Sequence, residues 1–118
     1  FLLNEEFQKA KPRTRRMSRH YYDLEKLMDT DFAKNALDNY ELYNNIIEHR
    51  KHFYNLHYVD YEENQPNNIC FYPPEELIEA FSADYANMIR TFIFKAAPTF
   101  DNLMGRISEL QERFRKIQ

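Results

Sequence analysis

The residues best placed to do chemistry lie in one run, Arg15-Arg16-Met17-Ser18-Arg19-His20-Tyr21-Tyr22-Asp23-Leu24. Arg16, Arg19 or His20, and Asp23 recur at three- and four-residue steps, so a helix would bring them to one face. Cations at a helix start oppose the helix dipole. They suit a bound anion, which the free backbone N–H groups of the first turn also attract. The spacing therefore suggests a phosphate- or nucleotide-contacting helix, with Asp23 one turn on to hold Arg19 or approach a metal. The alternative is a solvated basic segment in which Asp23 simply pairs an arginine.

Other chemistry-bearing residues point less far. His49 and His52 share a helix face and His57 follows, but no HExxH-type pattern supplies the remaining ligands of a metal site. Asp29-Thr30-Asp31 has the Asp-x-Asp form used to hold two magnesium ions in nucleotidyl transfer. That use needs a strand and a Gly-rich turn nearby. Here the pair stands at a helix end, and the sole glycine is Gly105. Asp31 reads better as a helix cap. Cys70 is the single cysteine, which excludes an internal disulfide and a Cys-based zinc site. Ser18, Ser82 and Ser108 lack the surroundings of a nucleophilic serine. No residue of this chain is assigned to a metal.

Composition bounds what can position these groups. A chain of 118 residues can bury one core, roughly 65% of its unfolded surface. Ten Phe and nine Tyr argue against disorder. One glycine disfavours turn-rich β architectures and phosphate-cradling loops. The net charge of −3 does not make the whole chain a polycation, yet residues 9–19 carry six Lys and Arg and no acid. That stretch motivates an RNA-binding alternative with steep salt dependence. No apolar run approaches a membrane span. The lone cysteine suits a reducing compartment, so a cytoplasmic location is expected.

The apolar periodicity is helical throughout. A basic lead-in occupies 1–16, interrupted by Pro12. A helix is predicted over 17–29, capped by Ser18, with Tyr21, Leu24, Leu27 and Met28 on its stripe. A short element over 30–37, capped by Thr30 or Asp31, offers Phe32, Ala33, Ala36 and Leu37. Asp38 would cap a helix over 39–54 bearing Leu42, Tyr43, Ile46, Ile47, Phe53 and Tyr54. Residues 55–74 read as irregular, with an apolar run at Ile69-Cys70-Phe71-Tyr72. Pro74 opens a helix with Leu77, Phe81, Tyr85, Met88 and Phe92 on one face and Ile78, Ile89 and Ile93 beside it, stopping before Pro98. The last helix, 100–116, spaces Phe100, Leu103, Ile107, Leu110, Phe114 and Ile117 by threes and fours and needs a partner surface. The fold class is all-α: four to five helices in a compact bundle-like domain over 17–118.

Four stretches together resemble the C-terminal half of the AbiEii/AbiGii family of nucleotidyltransferase toxins, from bacterial abortive-infection toxin–antitoxin systems. They are Arg16-x-x-Arg19-His20-x-x-Asp23-Leu24; His49-Arg50-Lys51-His52-Phe53-Tyr54; Pro73-Pro74 with Leu77 and Ala83-Asp84-Tyr85-x-x-Met88; and Phe94-x-x-x-Pro98-x-Phe100-Asp101. They span about residues 13–117. The resemblance implies a polymerase-β-like enzyme that uses magnesium and a nucleoside triphosphate to modify an acceptor, in some members transfer RNA. Its Gly-rich turn and metal carboxylates would belong to an N-terminal catalytic domain absent from this chain, which would itself hold no cofactor. At position 20 the sequence has His where many members have Asp, so the acidic, catalytic role passes to Asp23. Arg16 and Arg19 would contact phosphates. The expected partners are that catalytic domain, an antitoxin and an RNA acceptor, with no membrane. The isolated chain is expected to be inactive. The alternative is a helical interaction module whose last helix docks an antitoxin or a second copy.

Overall fold

In a computed structural model, residues 1–91 and 97–117 are described. They form six α-helices and no strand: α1 Leu2–Glu6, α2 Ser18–Leu27, α3 Asp31–Leu37, α4 Tyr40–Phe53, α5 Ile78–Thr91 and α6 Phe100–Arg115. Two 3-10 turns, Tyr61–Asn64 and Glu75–Leu77, lie between α4 and α5. The all-α expectation holds, with six helices where the pattern suggested four or five. The radius of gyration is 14.6 Å, near the ~13.5 Å of a compact chain this long.

Side-chain chemistry sets most of the boundaries. Thr30 caps α3 by accepting the Ala33 N–H, and Thr99 caps α6 by accepting the Asn102 N–H. The cap of α4 is Asn39, which accepts from Leu42, rather than Asp38, which closes α3. Ser18 does not cap α2. It is the first helical residue, preceded by Met17, which makes no side-chain cap bond. Pro74 leads into the Glu75–Leu77 turn, which runs directly into α5. The expected members Phe92 and Ile93 of the α5 face, and Phe94, lie outside the described residues.

The larger core gathers Tyr21 of α2 and Met28 at its end, Phe81 and Tyr85 of α5, and Leu103, Met104, Ile107 and Leu110 of α6. The stripe of the last helix is thus buried within the chain, which accounts for its spacing without a partner. A second cluster joins Tyr43 and Ile47 of α4 to Val59, Tyr61 and Ile117. Phe1, Leu37 and Phe114 touch both clusters. Residues 1–16 do not merely lead in: Leu3 is buried in the larger core, and Asn4, Glu5 and Glu6 of α1 are buried as well. The run Ile69–Tyr72 crosses the fold with Ile69 and Phe71 inside. The Ile69 N–H donates to the Gln65 carbonyl, and the next three backbone donors are met by side chains. Gln111 Oε1 accepts from the Phe71 and Tyr72 N–H groups (2.8 and 2.9 Å), and Asn4 Oδ1 accepts from Cys70 (3.1 Å).

Several expected core positions are exposed instead. Leu27 lies on the outer side of α2, and Leu42, Ile46 and Phe53 form a second, outward stripe on α4. Phe32 is 88% exposed, and α3 buries no residue fully.

Candidate functional site

The site forms where the turn before α2 meets α5. Arg16 has φ of 62°, in the left-handed region that a branched or long side chain seldom adopts. Its conformation is met by Asp84 of α5. One Asp84 oxygen, Oδ1, accepts the Arg16 N–H at 2.7 Å; the other, Oδ2, accepts the Ser18 N–H at 3.0 Å and also the Ser18 hydroxyl. Ser18 is fully buried. A carboxylate at a helix start complements the dipole, so α5 supplies the cap that the residues before α2 do not.

A cleft of about 490 Å³ opens beside this junction. Arg15, Arg16 and Arg19 line it from the α2 side, while Asp84, Asn87 and Met88 line it from α5. All three arginines are solvent-exposed. With both oxygens of Asp84 already hydrogen-bonded, the cleft presents guanidinium donors, an amide and an apolar wall. That set fits a multiply charged oxyanion.

Of the sequence-predicted residues, the structure brings Arg16 and Arg19 together in this cleft and leaves Asp23 outside its lining. Asp23 lies 4.0 Å from Arg19 Nε, both ends being well exposed, so this ion pair contributes little to stability. His20 lines a separate cavity that also includes Glu6 and Arg50. Of the backbone donors expected to attract an external anion at the start of α2, the Ser18 N–H is taken by Asp84, as is the Arg16 N–H just before the helix. Arg15 and Asn87 join the cleft without having been singled out, and the link to Asp84 spans 66 residues or more, beyond any local spacing.

The remaining candidates have structural partners. Lys9 and Arg13 bind the buried Glu6 at 2.9 and 3.0 Å, which pairs two of the six charges of the basic stretch with an acid. The Arg113 hydrogen bond, with Arg106 beside it, holds the Asp29 carboxyl below the usual aspartate range. Asp29 is therefore committed to α6. His49 and His52 pack on Phe53, with ring centroids 4.4 and 5.0 Å away. Among the described residues no three His, Cys, Asp or Glu side chains are grouped to hold a metal ion. Cys70 is exposed and free. No helix among the described residues is long and apolar enough to cross a membrane.

Among known proteins, no curated sequence and no solved structure matches this chain. A family model does: the one described as "Nucleotidyl transferase AbiEii toxin, Type IV TA system" matches residues 2–106. That match takes in α1 through α5 and the first part of α6, with the arginine cleft and its Asp84 cap inside it. Covering most of the sequence, it shows that the chain belongs to the AbiEii nucleotidyl transferase toxin family.

Proposed function

We propose that this chain is the helical C-terminal part of an AbiEii-type nucleotidyltransferase, and that its cleft grips phosphate of the nucleoside triphosphate or of the acceptor. The observation that carries the reading is the convergence of Arg15, Arg16 and Arg19 on one cleft at the head of α2. Guanidinium forks match phosphate oxygens in pairs, and exposure leaves them reachable. Arg16 and Arg19 make the phosphate contacts; Asp23 steadies Arg19 from outside the cleft.

Magnesium chemistry does not fit the donor set of this chain. Asp29 is committed to Arg106 and Arg113, and among the described residues no three His, Cys, Asp or Glu side chains are grouped to hold a metal ion. The metal and the nucleotidyl transfer step accordingly belong to a catalytic domain carrying the family's acidic motif. The family's type IV toxin–antitoxin description makes an antitoxin the partner to seek, and a transfer RNA is the acceptor to try. A cytoplasmic setting agrees with both.

The test is calorimetric titration of inorganic tripolyphosphate into the chain and into Arg16→Ala and Arg19→Ala. Each substitution should weaken binding about ten-fold, the equivalent of one charge-assisted contact. Unchanged affinity in both variants would overturn the assignment. A companion assay follows label from radioactive nucleoside triphosphates, with magnesium and bulk transfer RNA. The isolated chain should transfer none, since two-metal transfer needs carboxylates that it does not group. Transfer above the protein-free blank would refute the division of labour.

A further inference from the structure

The carboxylate of Asp84 lines a cleft whose other charged groups are positive. A negative group there has two physical readings with opposite consequences. As a bare charge it would repel an incoming phosphate. As a hydrogen-bond hub it would build the shape that receives one.

We infer that Asp84 is a positioning residue for the arginine cleft: it holds the Arg15–Ser18 turn in the left-handed form that sets Arg15, Arg16 and Arg19 around one space. The inference rests on the reading of the cleft as a phosphate site. Three observations support it. Both oxygens are used, Oδ1 by the Arg16 N–H and Oδ2 by the Ser18 N–H and hydroxyl, so the charge is directed into the turn. Arg16 holds a positive φ that favours Gly or Asn, so an arginine there needs an outside constraint, and its own N–H is the atom Asp84 takes. The arrangement is anchored, because Asp84 stands one turn beyond Phe81, whose ring packs 5.3 Å from that of Tyr21 in α2. Successive N–H groups converging on one oxyanion form a nest, and here the protein fills the nest itself. An external phosphate is left chiefly to the guanidinium groups, since Asp84 already takes the Arg16 and Ser18 N–H groups.

The two readings separate by sign. Asp84→Asn removes the charge but keeps an acceptor oxygen; Asp84→Ala removes both. Tripolyphosphate affinity is measured by calorimetry at a temperature where circular dichroism shows each variant fully folded. Hydrogen exchange of the Arg16 amide reports the turn. Positioning predicts about ten-fold weaker binding for Asp84→Ala, a smaller loss for Asp84→Asn, and faster Arg16 exchange in the order of those losses. Ser18→Ala, which withdraws one donor from the other side, should show a weaker version of the same loss. Should Asp84→Ala fail to fold, Asp84→Asn and Ser18→Ala carry the comparison. Variants that bind as tightly as the parent, or more tightly, would overturn the inference and leave the phosphate reading standing. A parent chain that does not bind tripolyphosphate would overturn both.

Discussion

Replacing Arg50 with Ala should destabilise the fold by about 3 to 5 kcal/mol at neutral pH, the cost of leaving a buried carboxylate without its partner. Arg50 reaches from α4 to Glu5 of α1 with a two-pronged contact, Nε to Oε2 at 2.7 Å and Nη2 to Oε1 at 2.6 Å. The side chains are 15% and 4% exposed, so solvent screens the pair little. Glu5 Oε2 also accepts from Asn64 Nδ2, and Asn64 Oδ1 accepts in turn from Asn4 Nδ2, both at 2.9 Å. The Tyr43 hydroxyl closes the network by donating to the Asn64 carbonyl at 2.6 Å. Burial alone would push the Glu5 carboxyl up; the hydrogen bonds from Arg50 and Asn64 outweigh it and hold the group below the ordinary glutamate value.

That balance gives the prediction a pH signature. In the parent chain Glu5 contributes stability above its unfolded-state value and loses it as pH falls through the lower folded value. Without Arg50 the cost of burying the charge dominates, the carboxyl's value rises, and protonation relieves the penalty in acid. The stability gap between parent and variant should be widest at pH 7 and narrow markedly by about pH 4. Urea unfolding at both pH values measures it. An equal gap at the two pH values would mean that Arg50 acts through its packing on Tyr54, 5.0 Å from the ring centre, and not through Glu5.

This network also marks where the sequence stops being readable. Thr30 announces a helix start by residue type, and the Leu103, Ile107, Leu110 spacing announces a buried face. Both signals are local. Leu42 and Ile46 carry the same helical spacing as Tyr43 and Ile47, yet only the second pair is buried. Periodicity fixes that a face is apolar; it does not say on which side the neighbouring elements lie. The five-residue α1 has no periodicity to read, and its place depends on Glu5 meeting Arg50 45 positions later. The cleft divides in the same way. Arg16 and Arg19 stand out as cations at a helix start, whereas Asp84 stands out only as part of a family-like stretch, and nothing local ties it to their turn.

Phe81→Ala should cost about 3 to 5 kcal/mol, as expected for a fully buried aromatic ring. The ring meets Tyr21 of α2 at 5.3 Å and Phe7, just past α1, at 6.0 Å, both edge-to-face. One side chain therefore ties three elements together, and a cavity there cannot be filled by a small shift of any single helix. Phe81→Leu keeps most of the volume and should lose less than about 1.5 kcal/mol. Denaturant midpoints at unchanged slope would give both values. The comparison also bears on the cleft. Phe81 docks the helix that carries Asp84, so folded Phe81→Ala should show faster exchange at the Arg16 amide, while Phe81→Leu should not. A Phe81→Ala loss below about 1 kcal/mol would mean the site relaxes around the missing ring. Docking of α5 on α2 would then rest chiefly on polar contacts, the Asp84 junction foremost.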